Sequence, residues 1–334
     1  MRNALRTAAV AALAVLLSSC VSSVLEVDGK ATRPVPAALK AEMSRKAMSP
    51  AAPILIRIFK QESELEVWKR DRSGKFALLK TYPMCRWSGK LGPKTRTGDR
   101  QAPEGFYHVS AGMLNPNSQY YLSFNLGYPN RLESALGYTG EALMVHGACS
   151  SSGCFALTDQ GVAEIYAVAR EALAGGQGSF QVQAFPFRMT PGNMAKNGSD
   201  PNFAFWSDLK RGYDIFEVTR RQPKVSACGG RYVFDREFEG GEPRDVLAAC
   251  PPALNGDDPK IAAKTQADTV TAGNLISTGT ALSAHAYADG GMHPSFRKLL
   301  KRDGQADLAK RTSMTSVPIS RPDAALADPH SPDE

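Results

Sequence analysis

Ile54, Ile56 and Ile58 alternate with other residues in "APILIRIFKQESELEVWKR", and Leu65 and Val67 resume the alternation after a polar break at residues 61–63. A period of two marks a strand with one face toward a core, so the stretch predicts two strands joined by a hairpin. "KFALLKTYPM", "FYHVSAG", "QYYLSFNLGYP" and "EALMVHG" read as further strands, and "GKLGPKTRTGDRQAPEG" as a long Gly/Pro-rich loop. The period then changes. Val162, Ile165, Tyr166, Ala169 and Leu173 follow helical spacing, with Thr158 or Asp159 to cap the start and Gly175 and Gly176 to stop it. "SFQVQAFPF" returns to alternation, and "NFAFWSDLKRGYDIFEVTRR" predicts a second helix carrying Trp206, Leu209, Tyr213 and Phe216. The pattern describes a mainly β chain with a few helices, of the α+β class, with its domain over residues 53–240.

The flanks lack such periods. Residues 20–52 are rich in Ala, Pro, Ser and Lys and read as a tether, with a short helix near "AALKAEMSRKAM". Residues 241–334 are rich in Ala, Asp, Pro and Thr and read as a low-complexity, mostly disordered tail, apart from the basic amphipathic piece "PSFRKLLKRDGQADLAKR", which reads as a short helix. Residues 1–19 pair Arg2 and Arg6 with the apolar run "AAVAALAVLL", the layout of a secretory signal too short to span a bilayer. The end of that run, "LLSSC", resembles a bacterial lipobox, which makes Cys20 the lipidated residue after cleavage; an ordinary cleaved signal with an incidental cysteine is the other reading. The expectation is an exported, periplasmic protein anchored by lipid. Val21 in place of Asp after Cys20 points, by analogy, to the outer membrane.

Hydrophobic residues make up 43% of the 334, enough for a sizeable core, and the net charge is +7. No Lys/Arg block interleaves with aromatics, so nucleic acid is not an expected partner; anionic lipid or cell-wall polymer suits an exported basic protein better. Export also changes how the cysteines read. Beside Cys20 stand Cys85, Cys149, Cys154, Cys228 and Cys250, an odd number, which in an oxidising compartment suggests one free thiol. Cys228 could pair with Cys250, and Cys85 with Cys149, leaving Cys154; the sequence alone leaves the connectivity open.

His146, Cys149 and Cys154 lie within the single stretch "MVHGACSSSGCFALTD". Three chemistries compete for it. A thiol and a histidine eight residues apart can form a nucleophile and its base. A metal site would need a fourth ligand or a water, and no second cysteine pair supplies one. A local disulfide between Cys149 and Cys154 beside a chance histidine is the third. For the first, His146 ends an apolar strand and Cys154 closes a Gly/Ser-rich loop ahead of a helix, whose dipole would lower the thiol pKa. The Gly147 carbonyl could fix the imidazole tautomer. Gly153 permits an unusual turn, and its amide, with that of Cys154, could face a developing oxyanion.

The same stretch resembles the active-site segment of the L,D-transpeptidases of the YkuD type, in their YafK-like branch. "GDRQAPEGFYHV" is similar to the loop and strand leading into that site, and "GQGSFQVQAFPFRMT" to the segment after the helix, so the likeness spans residues 54–234. The resemblance implies the L,D-transpeptidase catalytic fold with a β-sandwich or barrel-like core. It also implies Cys154 as nucleophile and His146 as base. Commoner members have a longer insert between the two and a second histidine where Ser152 stands here. The implied substrate is the diaminopimelate carbonyl of peptidoglycan stem peptides, attacked to give an acyl-enzyme without metal or organic cofactor. An amine acceptor makes a cross-link or a protein attachment; water would make the protein a hydrolase, and some YafK-like proteins are thought to detach a wall-bound lipoprotein. A non-catalytic wall-binding lipoprotein is the reading from another class. Ser152, Arg188 and His108 are candidate substrate contacts, Arg188 through a stem-peptide carboxylate. Tyr120, Tyr121 and Trp206 are candidates to line a groove, with core packing the simpler expectation.

Overall fold

The computed structural model describes residues 29–279 and 289–314. The expected signal, Cys20 and the last part of the tail lie outside them. The first sheet has the order β3-β2-β1-β10-β5, formed by β1 (Ile54–Phe59), β2 (Glu64–Arg70), β3 (Phe76–Pro83), β5 (Gly105–Ser110) and β10 (Ser179–Phe185). β1 runs parallel to β10, with Ile56 opposite Val182, and the other pairs are antiparallel. The predicted alternation holds in β1, but both of its faces are buried. Ile54, Ile56 and Ile58 join one core, while Leu55, Arg57 and Phe59 face the other side. Arg57 is tolerated there because Glu217 lies 2.6 Å away and the Tyr213 ring sits 4.4 Å from its guanidinium.

The second sheet has the order β4-β9-β8-β7-β6, from β4 (Arg86–Trp87), β6 (Leu114–Asn115), β7 (Ser123–Asn125), β8 (Met144–His146) and β9 (Phe155–Ala156). It packs on the Ile54–Ile56–Ile58 side of the first sheet, where Phe124 meets Phe180 edge-on at 5.6 Å. On the same side lies α3 (Asp159–Ala174), whose Val162, Ile165, Tyr166 and Ala169 are buried as its spacing predicted. Thr158 caps it, its hydroxyl accepting from the Gly161 amide at 2.9 Å. The opposite side is covered by α5 (Phe203–Thr219), which inserts Trp206, Leu209, Tyr213 and Phe216. Among the described residues, two five-stranded sheets, one two-stranded sheet and the α-helices packed on them give the expected α+β class.

Both flanks hold the short helices expected at residues 37–48 and 294–311, but are more ordered than a tether and a mostly disordered tail. Residues 29–52 are docked: α1 (Ala37–Arg45) adds Leu39 and Met43 to the core, and the Lys46 ammonium donates to the Leu78 carbonyl at 2.6 Å. At the end of the domain, β11 (Val225–Cys228) pairs with β12 (Arg231–Phe234), and a disulfide from Cys228 to Cys250 ties the start of the tail to that hairpin. Then come α6 (Pro259–Ser277) and α7 (Pro294–Thr312), the latter broken at Gly304 with φ of 80°. A low apolar content concealed this order because few anchors suffice on a prebuilt surface. Met292, Phe296, Leu300 and Leu308 pack on the Cys85–Cys149 disulfide. None of the α6 residues is buried; Lys210 and Lys264 hold Asp268 at 2.6 and 2.7 Å. No helix among the described residues is long and apolar enough to cross a membrane.

Candidate active site

β8 and β9 lie parallel, with Val145 opposite Phe155 and His146 opposite Ala156. Continued by one residue, that register sets Cys154 beside Met144, whose amide donates to the Cys154 sulfur at 3.4 Å. Residues two apart on a strand share a face, as do register partners. His146 and Cys154 therefore share one face of the second sheet, a diagonal step apart, while Val145 and Phe155 point into the core. The intervening loop is held under strain. Ala148 and Cys149 both have positive φ, 65° and 43°, a conformation that costs about 1 kcal/mol or more per non-glycine residue. Three attachments fix it. Cys149 is bonded to Cys85. The Ala148 amide donates to Asp159 Oδ1 at 2.7 Å. Ser151 Oγ donates to the Cys154 carbonyl at 2.7 Å and lies 3.0 Å from Ser88 Oγ.

Two disulfides leave Cys154 as the free cysteine among the described residues. Cys149 is thereby unavailable as a thiolate ligand or as a partner for Cys154. Among those residues no group of three or more His, Cys, Asp or Glu is arranged to hold a metal ion. His146 is 4% exposed, with Nδ1 2.6 Å from the Gly147 carbonyl. A carbonyl can only accept, so Nδ1 carries the proton and Nε2 keeps its lone pair. The half-exposed Tyr120 ring covers the imidazole, centroids 4.7 Å apart, and the Tyr120 carbonyl accepts the Gly147 amide at 3.0 Å.

Burial disfavours both charged forms at this pair. It drops the His146 pKa to about 4, against the opposing pull of the Gly147 carbonyl. It also pushes the Cys154 thiol up, partly offset by the Met144 amide and the Lys94 charge. The expected help from a helix dipole is missing: α3 starts at Asp159, with β9 in between, and a dipole acts within about one turn. Both shifts favour the neutral forms of the thiol and the imidazole.

The other candidates are dispersed. Gly153 makes its turn at φ 128°, but its amide faces Ser151 Oγ at 3.4 Å, so the oxyanion role expected of it is not what this geometry offers. Ser152 is exposed at the loop tip, near the thiol in sequence and free to meet a ligand. Arg188 lies in the first-sheet region, paired with Glu64 at 2.5 Å and Glu66 at 2.8 Å and stacked over Phe59. Those two carboxylates occupy the guanidinium meant for a substrate, and none of these partners belongs to the Cys154 loop. His108 lines a separate cavity of about 190 Å³ with Phe106, Tyr232 and Glu242, on the α5 side of the first sheet. Alternation in β5 put it there: it shares the Phe106 face, and Tyr107 and Val109 take the other. Trp206 is core, donating to Glu104 at 2.8 Å. Asp159 and Ser151 were missed as site residues; the signal for Asp159 was a carboxylate in the first turn after the cysteine loop, read only as a cap.

The family model for the YkuD L,D-transpeptidase catalytic domain matches residues 53–191. "Putative L,D-transpeptidase YafK" of Escherichia coli strain K12 is 43% identical over 225 residues, 67% of this chain and 89% of that protein, and its O157:H7 counterpart matches equally. Among solved structures, the helical cell shape determining protein Pgp2 of Campylobacter jejuni aligns at 19% identity and a TM-score of 0.33, over 56% of this chain and 79% of that one. Bdellovibrio bacteriovorus Bd1075 aligns at 15% and 0.30, over 53% and 78%. Similarity that distant decides nothing about this chain, whereas the match over the whole His146–Cys154 segment and the extended identity do: the chain belongs to the YkuD family of L,D-transpeptidases.

Proposed function

We propose that the protein is an exported, lipid-anchored enzyme that transfers peptidoglycan stem peptides through a Cys154 acyl-enzyme. The family acts on such stem peptides. The observation that carries the reading is the thiol left free by two disulfides, on the same sheet face as a histidine whose Nδ1 is already engaged. In the reaction Cys154 Sγ bonds to the diaminopimelate carbonyl carbon as its proton passes to His146 Nε2. The tetrahedral adduct collapses, and the departing amine takes that proton back. An acceptor amine then attacks the thioester, gives its proton to His146, and leaves Cys154 as the thiol. Because burial favours both neutral forms, His146 acts as a true general base rather than half of a preformed ion pair. Membrane attachment through Cys20 and an outer-membrane location rest on the sequence of the leader.

The test uses the protein starting after Cys20 and its Cys154→Ala variant, each incubated with isolated wall material with and without attached lipoprotein, followed by mass spectrometry. New cross-linked or amine-exchanged peptides that require Cys154 support the transferase. Released lipoprotein or shortened stems that require Cys154 make water the acceptor. No Cys154-dependent product in either sample sinks the catalytic reading in favour of a wall-binding module. The acid limb of kcat/KM is expected near pH 4, not 6.5, since His146 stays unprotonated, and able to accept, down to that value. A limb at 6.5 would show the imidazole to be solvated in solution.

A further inference from the structure

The peptide unit between Gly147 and Ala148 is gripped at both ends. Its carbonyl oxygen lies 2.6 Å from His146 Nδ1, and its N–H donates to Asp159 Oδ1 at 2.7 Å. The chain runs imidazole, carbonyl, amide, carboxylate, with no side chain between. The positive φ of Ala148 belongs to the same turn. Glycine at position 147 is a second mark of the arrangement: a Cβ there would stand 2.4 Å from Asp159 Oδ1 and 2.9 Å from the Tyr120 carbonyl. Asp159 is 1% exposed and lies in the first turn of α3, where the helix dipole favours a negative charge. Its second oxygen accepts from the Met314 amide at 2.5 Å and from Ser313 Oγ at 3.4 Å, so the carboxylate cannot swing away without releasing the end of α7.

An amide whose N–H is held by a carboxylate shifts electron density onto its own oxygen, because hydrogen bonds in a chain polarise one another. That oxygen then accepts more strongly from Nδ1–H, and most strongly when the ring is positive. Burial has made the imidazole a poor proton acceptor, and this relay works in the opposite sense.

We propose that Asp159 is a positioning residue of the transpeptidase reaction, acting on His146 through the Gly147–Ala148 peptide to fix the Nδ1–H tautomer and favour the imidazolium that forms as Cys154 loses its proton. The inference rests on the assignment of Cys154 and His146 as nucleophile and base.

The experiment compares wild type, Asp159→Asn, Asp159→Glu and Cys154→Ala, using soluble tetrapeptide muropeptides as substrate and nitrogen-15 histidine labelling for NMR. Asn keeps an acceptor for the Ala148 amide and removes the charge. It should lower kcat about tenfold with KM unchanged, the difference between a charged and a neutral acceptor, while the His146 Nδ1–H resonance moves upfield. Glu restores part of kcat. Wild-type kcat together with an unmoved resonance in Asp159→Asn would overturn the proposal, provided Cys154→Ala is inactive. An active Cys154→Ala would instead remove the underlying assignment. If Asp159→Asn does not fold, the wild-type spectrum still decides: an Nε2–H tautomer for His146 at neutral pH defeats the relay.

Discussion

In the first sheet β1 and β2 share six register pairs and β1 and β10 five; in the second, β8 and β9 share two, and so do β4 and β9. The first is a continuous ladder whose central strand is buried on both faces, and its stability comes from strands and the helices against them. The second has almost no ladder of its own, yet it carries His146 and Cys154. It is held from outside by a disulfide, by Asp159, by Ser151 and by the segment at residues 289–314. The backbone pairs of Trp87 with Gly291 and of His293 with Met84 bind that segment to the sheet. The lesson is that a site needing left-handed residues and a precisely aimed thiol is assembled from point attachments, because a regular ladder would not permit those dihedrals.

The contrast can be broken first at the joint between the sheets. Lys60, directly after β1, is fully buried and donates to the Lys90, Gly92 and Ala102 carbonyls and to Glu104 at 2.6, 3.3, 3.0 and 2.8 Å. Lys60→Met strands the Glu104 carboxylate and should cost about 4 kcal/mol of global stability in a denaturant titration. A loss below 1 kcal/mol would mean that the Gly92 amide and the Trp206 indole hold Glu104 without help from the lysine.

Next comes the disulfide. Replacing Cys85 and Cys149 together by Ala should cost about 3 kcal/mol. Hydrogen exchange should accelerate in β8 and β9 more than in β1 and β10, with activity lost well below the melting temperature. Uniform acceleration in both sheets would deny the second sheet its separate dependence.

A smaller effect concerns Glu133 in α2 (Arg131–Ala135), which accepts the Tyr107 hydroxyl of β5 at 2.7 Å and so links the β7–β8 connection to the first sheet. Burial raises its pKa to about 7 from an ordinary 4.5. The folded protein keeps that proton while the unfolded chain has released it, so stability falls as pH rises across this window. Glu133→Gln removes the titration; its stability relative to wild type should improve by about 2 kcal/mol between pH 5 and pH 8. An unchanged difference at the two pH values would show that Glu133 ionises normally. The smallest expected change is Ser151→Ala, about 1 kcal/mol in stability, with a fall in kcat that exceeds it in proportion because the Cys154 carbonyl loses its donor. Full kcat with a lowered melting temperature would confine Ser151 to structure.

The same division governs what could be read from sequence. Ile54, Ile56 and Ile58 announce β1, and Val162 through Ala169 announce α3, because each element is long enough to show a period. β4, β6 and β9 have two residues each, and two residues have no period. α6 escaped for the opposite reason: none of its residues is fully buried, and with Ile261 only partly covered its helix leaves a weak apolar stripe. At the site, the spacing of His146 and Cys154 was legible because a parallel register brings them to one face. Arg188 and His108 were not, since their surroundings are set by Glu64, Glu66 and the β11–β12 hairpin, far away in the chain. Asp159 was visible as a helix start, and nothing local told of its hold on the Ala148 amide.

The Cys85–Cys149 bond has one more consequence. Thiols that react under oxidising conditions pass through a sulfenic acid, which a neighbouring resolving cysteine can capture as a disulfide before oxidation goes further. Cys149 stands five residues from Cys154 and is already spent on Cys85. Among the described residues no other free cysteine remains to take its place. A sulfenic acid on Cys154 therefore finds no resolving thiol among the described residues, so the working life of the site depends on the reductants that reach it.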